Sequence, residues 1–268
     1  MAQNGNEKMR GIPRFRLDKF IILRLGRENM PYMKMTCRAG RTKEVAKYYT
    51  YWQQPKGRKR QPKRNKTSEK QRKINDRHLE KKLTRILNAN FDKDSWYLTF
   101  SYHKELRPDG DGLKKHRKKL LDDLRKIYKA EGKPFKYVET AEVGNRGGTH
   151  IHMVVNSIDI RKIKDLWKYG WVGAKPLDDS GQYRKLAGYF IKYSQKTKGT
   201  DGQIQKKAYN CSRNLIRPKP TTKKMKGNKF SREIKVPEGW YLDKDSLREG
   251  FTEDGYEFLY YTLIKEGG

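Results

Sequence analysis

The chain has 268 residues, 64 Lys and Arg against 31 Asp and Glu, a formal net charge of +33, and only 34% apolar residues. Its longest apolar runs, such as Phe20-Ile21-Ile22-Leu23, fall far short of the ~20 residues of a spanning helix, so no membrane association is expected. Two cysteines, Cys37 and Cys211, cannot make a disulfide framework, which points to a reducing, cytoplasmic setting. No apolar segment followed by a small-residue cleavage site opens the chain, so no signal peptide is expected either. A charge of this size attracts polyanions, and nucleic acid is the natural partner, held mainly by phosphate neutralisation. The 12% of aromatic residues argues for a folded core or stacking surfaces rather than general disorder.

In chain order, Phe20–Leu25 and Pro31–Cys37 read as short strands. Lys56–Lys73 then holds ten Lys or Arg and one acid, among Pro55, Gly57 and Pro62, and reads as a basic arm. Ser68 with Gln71 three positions later is a capping-box signature. Ile74, Leu79, Leu83, Ile86 and Leu87 follow at helical spacing and predict a helix to about Ala89. Trp96–Tyr102 is aromatic-rich and reads as a strand, and Pro108–Gly112 is turn chemistry. Leu113, His116, Leu120, Leu121, Leu124, Ile127 and Tyr128 keep helical spacing, with a stop at Gly132. Phe135–Val143 and His150–Asn156 read as strands around a glycine-rich loop. Asp159 caps a short helix through Trp167, Trp171–Leu177 is a strand, and Gln182–Lys196 a helix. Beyond a loop-rich stretch, Tyr256–Ile264 has the content of a final strand.

This order, β-α-β-β-α-β-α from about 95 to 197, predicts an α+β fold. A central antiparallel sheet of ferredoxin-like, RRM-like style is expected, with helices on one side. The expected division is a basic N-terminal region over 1–66, the α+β domain over 67–197, and an extension over 198–268. From Glu238 onward there are eight acids and three bases, a local charge of −5 that leaves +38 for the rest. That acidic segment cannot be the main DNA surface. It is expected to pack on the domain as a strand beside its sheet.

Two constellations carry chemistry. In His150-Ile151-His152-Met153-Val154-Val155, strand alternation projects both imidazoles from one face while Ile151, Met153 and Val155 enter a core. Glu142 ends the preceding strand, and hairpin pairing sets it across from His150. Glu142, His150 and His152 together form a mixed oxygen and nitrogen donor set suited to Mg²⁺ or Mn²⁺. Glu139 is an alternative third ligand, although alternation turns it to the opposite face. On the helix after Gln182, residues Lys185, Tyr189, Lys192, Tyr193 and Lys196 share an arc of about 100°, while Leu186, Ala187, Phe190 and Ile191 form the apolar side. Cations near a phenol favour the phenolate, so Tyr189 and Tyr193 are candidate nucleophiles.

These features, in this order, resemble the HUH endonucleases, and more closely the rolling-circle replication initiators of phages, plasmids and integrated elements. The family's histidine–hydrophobe–histidine motif is matched at His150-Ile151-His152, and its acid before a glycine loop at Glu142-Val143-Gly144. Its Tyr-x-x-Lys motif, with the second tyrosine of the two-tyrosine branch, is matched at Tyr189, Lys192 and Tyr193. Its first motif is matched at Tyr97-Leu98-Thr99-Phe100, with one Thr where two are common.

The resemblance implies a metal-dependent endonuclease and strand transferase, encoded by a mobile element in a bacterial cell. It would nick origin single-stranded DNA through a 5′-phosphotyrosine intermediate and leave a 3′-hydroxyl that primes synthesis. Lys192 would orient the phosphate or stabilise its charge, and Lys185, Lys196 and Arg146 would bind DNA. No G-x-x-x-x-G-K-[ST] motif is present, so unwinding would fall to a host helicase, with a host polymerase extending the primer. A transposase or relaxase of the same chemistry, and a non-catalytic RRM-like nucleic-acid-binding protein, are the rival readings.

Overall fold

The computed structural model describes residues 30–50, 67–144, 147–195 and 207–267. The expected strand at Phe20–Leu25, most of the basic arm, and the side chains of Arg146 and Lys196 lie outside the described residues. Among the described residues, one compact unit takes in 30–37, 44–50 and 220–263, and a second takes in 38–43, 264–267 and everything from 67 to 219.

The second unit carries both constellations. It runs α1 (Glu69–Asn90), β3 (Trp96–Ser101), α2 (Gly110–Ala130), β4 (Tyr137–Val143), β5 (Thr149–Val155), α3 (Ile160–Lys164), β6 (Val172–Pro176), α4 (Arg184–Gln195) and β7 (Asn210–Cys211). Ser68 caps α1 by accepting from Gln71 N–H at 3.2 Å. Asp109 caps α2 by accepting from Gly112 N–H at 2.6 Å, so that helix begins inside the segment expected to be a turn. The helix ends at Ala130, with Gly132 at φ +65 just past its cap, where the stop is expected.

The sheet order is β6-β3-β5-β4-β7. Its first four strands, numbered by appearance in the unit, read 4-1-3-2, the antiparallel split-βαβ arrangement the element order predicts. β7 is added at the β4 edge, with Val138 opposite Cys211.

Strand alternation builds two cores. Leu98, Phe100, Ala141, Ile151, Met153 and Val155 meet Leu113, Leu120, Leu121, Leu124 and Tyr128 of α2 on one face. On the other face Val138 and Val154 meet Leu83, Ile86 and Leu87 of α1, and Ala187, Phe190 and Ile191 of α4. Each fully buried Leu, Ile or Phe contributes about 1.5–3 kcal/mol of burial free energy, so both layers hold the sheet. The α+β class stands, but the helices cover both faces rather than one. The reason is Val154, which follows His152 on the histidine face and, with Val138, makes half of that face apolar.

The first unit carries β1 (Met33–Ala39), β2 (Thr42–Tyr48), β8 (Thr221–Lys224), β9 (Trp240–Phe251) and β10 (Glu257–Lys265), in the order β8-β1-β2-β10-β9. Thus the acidic segment does not become a strand beside the histidine-bearing sheet. Its two strands join β2 around a core of Val45, Phe230, Leu259, Tyr261 and Leu263. The alternation of Leu259, Tyr261 and Leu263 makes β10 a one-faced strand that needs its own apolar partners.

Candidate active site

Cross-strand register sets the site. Glu142 lies opposite His150, Thr140 opposite His152, Thr99 opposite His152 on the other side, and Ser101 opposite His150. Residues directly opposite in an antiparallel sheet share a face. Glu142, His150, His152, Thr99 and Ser101 therefore line one patch, at the end of the face that α1 and α4 leave polar.

β3 holds the imidazoles from one side. Nδ1 of His152 lies 2.8 Å from the Tyr97 hydroxyl and 3.3 Å from Thr99 Oγ1, and Nδ1 of His150 lies 3.1 Å from Ser101 Oγ. His152 turns Nε2 to Glu142 Oε1 at 3.2 Å, both residues being buried. The hydroxyls at alternate positions 97, 99 and 101 thus fix ring orientation on both histidines. Sequence reasoning left the role of Thr99 open and missed Tyr97 and Ser101. The signal was present in Trp96-Tyr97-Leu98-Thr99-Phe100-Ser101, whose alternate residues are all hydroxylic.

The Tyr97 phenol is pushed far up by burial, with the neighbouring Tyr193 and Glu142 raising it further. It stays protonated and serves as a hydrogen-bonding group, not as a nucleophile. Glu139 is fully buried on the opposite face, with Arg117 Nε of α2 at 3.2 Å. It does not join the histidines, as alternation requires. Burial raises its carboxyl pKa, and the guanidinium offsets part of the rise.

Helix α4 brings the second constellation to the first. Ala187, Phe190 and Ile191 anchor it to the sheet. The opposite flank presents Tyr189, Lys185 and Lys192, all exposed, while Tyr193 is half-buried. The Tyr193 ring stacks on His152 with centroids 4.5 Å apart and planes 15° apart. Tyr189 stacks on Tyr193 at 6.3 Å and 22°. The two phenols thus form a stepped column that rises from the histidine face.

The glycine-rich loop closes the site opposite α4. Gly147 has φ +72, a conformation that favours glycine. A Cβ on Gly148 would stand 3.2 Å from His150 Nε2 and 3.7 Å from a guanidinium nitrogen of Arg107. The missing side chain therefore lets backbone, His150 and Arg107 approach one another. Arg107 is a further cation beside the site that sequence reasoning did not single out.

As donors, Glu142 and His152 already converge. Two ligands about 2.1 Å from one ion at a right angle lie about 3 Å apart, so this pair suits divalent-metal coordination. His150 is the next donor along the same face, its ring centroid 6.2 Å from that of His152. Among the described residues, no group of three or more His, Cys, Asp or Glu side chains is gathered closely enough to hold an ion as the side chains stand. Closing the triad requires the His150 ring or the Glu142 carboxylate to move inward.

Comparison with protein-family models finds a match to the replication-associated protein ORF2 family over residues 95–198. Comparison with curated proteins and with solved structures finds no match. No helix among the described residues is long and apolar enough to cross a membrane. The matched segment spans β3 to α4 and contains Glu142, both histidines and both tyrosines, and its likeness to replication-associated proteins supports reading this chain as a replication initiator that binds DNA.

Proposed function

We propose that this chain is a two-tyrosine HUH-type initiator that nicks and rejoins single-stranded origin DNA. The observation that carries the reading is the stack of Tyr193 on His152, which itself touches Glu142. A candidate nucleophile and candidate metal donors so share one patch.

Glu142, His150 and His152 are the residues that would hold Mg²⁺ or Mn²⁺. Such an ion polarises a phosphoryl oxygen and neutralises its developing charge. The phenolic oxygen of Tyr193 or Tyr189 attacks phosphorus in line and loses its proton. A P–O(Tyr) bond forms, the P–O3′ bond breaks, and the leaving 3′-oxygen is protonated to a hydroxyl. The phosphodiester energy is kept in the 5′-phosphotyrosine, so rejoining needs no ATP. Lys192, beside both tyrosines on α4, offsets phosphate charge; Arg107 does the same from the glycine-loop side. Tyr97, Thr99 and Ser101 orient the imidazoles. In this reading Lys185, Lys196 and Arg146 track the DNA backbone, and host helicase and polymerase act on the opened strand.

The 4-1-3-2 sheet order is shared with RRM-like binding modules, which favours a second reading as a non-catalytic binder. One experiment separates them. Labelled single-stranded DNA spanning the element's origin is mixed with protein and Mn²⁺ and run on a denaturing gel. Label moving with the protein, and lost in a Tyr189→Phe/Tyr193→Phe variant, supports strand transfer. Binding with no such band supports the RRM-like reading. Cleavage without a protein-linked band would mean that water is the nucleophile.

A further inference from the structure

The histidine face does not stop at β3. Ser101 N–H donates to Trp171 C=O at 2.9 Å and Trp171 N–H donates to Ser101 C=O at 3.2 Å, a reciprocal pair that sets the two residues directly opposite. Glu142, His150, Ser101 and Trp171 therefore form one cross-strand row. In β6 the same face continues through Gly173, opposite Thr99, and Lys175, opposite Tyr97. The alternate residues Val172 and Ala174 turn the other way, against the α2 core.

β6 is an edge strand, and its outer row is open. Trp171 is 64% exposed, a large indole left in solvent, and Gly173 and Lys175 are exposed as well. His103 braces the indole edge-on, with ring centroids 4.1 Å apart. A Cβ on Gly173 would meet only Thr99, at ordinary contact distance, so nothing in the packing demands glycine there. Its effect is a bare stretch of strand between an aromatic ring and a cation. An exposed, braced ring, a passage without side chains and a lysine are what an unpaired nucleotide requires: a stacking platform, room for the sugar–phosphate, and a countercharge.

We propose that Trp171, Gly173 and Lys175 form a nucleotide subsite for single-stranded DNA, in which a base flanking the scissile linkage stacks on Trp171. The subsite rests on the reading of the histidine face as a DNA-processing site and extends it by one strand. Strands about 4.8 Å apart set Trp171 two strands, or about 10 Å, from His150, so the stacked base belongs to a nucleotide next to the reacting phosphate or one beyond it. The stack holds the register of the DNA over the site, and Lys175 neutralises a phosphate further along.

The test uses the full chain with EDTA present, so that binding is read without cleavage. A fluorescein-labelled 20-mer of dT is titrated against wild type, Trp171→Ala, Trp171→Phe and Gly173→Leu. Loss of one base–aromatic stack predicts binding about 5- to 100-fold weaker for Trp171→Ala. Trp171→Phe keeps a ring and stays within about 3-fold of wild type. Gly173→Leu fills the passage and weakens binding about as much as Trp171→Ala. Unchanged melting temperatures assign these losses to the surface. Binding by Trp171→Ala and Gly173→Leu within 2-fold of wild type overturns the subsite, even if wild type still forms the covalent adduct. Conversely, Trp171-dependent binding with no adduct in Mn²⁺ leaves the subsite standing and removes the strand-transfer reading.

Discussion

The two histidines share a motif but not an environment, and this predicts unequal costs of removing them. His152 is buried and touches the Tyr97 hydroxyl at 2.8 Å, Thr99 Oγ1 at 3.3 Å and Glu142 Oε1 at 3.2 Å. In His152→Ala the buried Glu142 carboxylate and the Tyr97 hydroxyl each lose that partner, at about 1–3 kcal/mol apiece. The Tyr193 ring also loses the surface on which it stacks. The sum is a destabilisation of about 2–4 kcal/mol. His150 is only half-buried, and its side-chain contact to Ser101 Oγ is 3.1 Å. His150→Ala should cost about 1 kcal/mol. At about 2–4 °C per kcal/mol for chains of this size, melting falls by about 5–15 °C for His152→Ala and about 2–4 °C for His150→Ala. The assay is thermal unfolding followed by circular dichroism in EDTA, so that no metal contributes. Both variants should lose adduct formation. Equal shifts in melting, or a larger shift for His150→Ala, would refute the hydrogen-bond arrangement described for the site.

Tyr193→Phe keeps the ring on His152 and should melt within about 1 kcal/mol of wild type; Tyr189→Phe, on an exposed side chain, within about 0.5 kcal/mol. A marked loss of stability in the double variant would mean that these hydroxyls serve the fold. Glu139→Gln tests the buried carboxylate on the opposite face. Burial raises its folded pKa above the ordinary value of 4.5, so the wild type loses stability as pH rises through and beyond that value, and the Gln variant does not. Melting of the variant relative to wild type should therefore improve from about pH 4 to about pH 7; a trend in the other direction would show that Arg117 lowers the pKa more than burial raises it. DNA affinity should fall steeply with salt, with a log–log slope of magnitude about 3 or more, since each neutralised phosphate adds about 0.7 for a single strand. A slope near zero would remove the cationic surface from the account.

Much of this site is legible in the sequence because strand alternation is a strict rule. His150-Ile151-His152 and the acid eight residues before its first histidine need only hairpin pairing to share a face, and the observed register pairs Glu142 with His150. The helical arc of Tyr189 and Tyr193 is equally readable from Ala187, Phe190 and Ile191, which had to face inward. Two kinds of feature escaped. Val154 marks the histidine face as half-apolar, but one valine in a buried strand does not say which helix will cover it. β2, Thr42–Tyr48, has the sequence Thr-Lys-Glu-Val-Ala-Lys-Tyr, whose weak alternation gives little strand signal. Its place depends on long-range pairing within the first sheet, as does that of the acidic C-terminal strands. Arg107 and Trp171 come to the site from loops beside it, where no periodicity announces them.

The central claim is that a phenol of α4 becomes covalently joined to DNA beside the histidine pair. The most direct measurement is mass spectrometry of the protein after reaction with a short origin oligonucleotide and Mn²⁺, nuclease trimming and proteolysis. The account predicts a nucleotide mass on the peptide containing Tyr189 and Tyr193, absent when Glu142 is replaced by Ala. A nucleotide on any other residue, or none in a sample whose DNA has been cut, would contradict it.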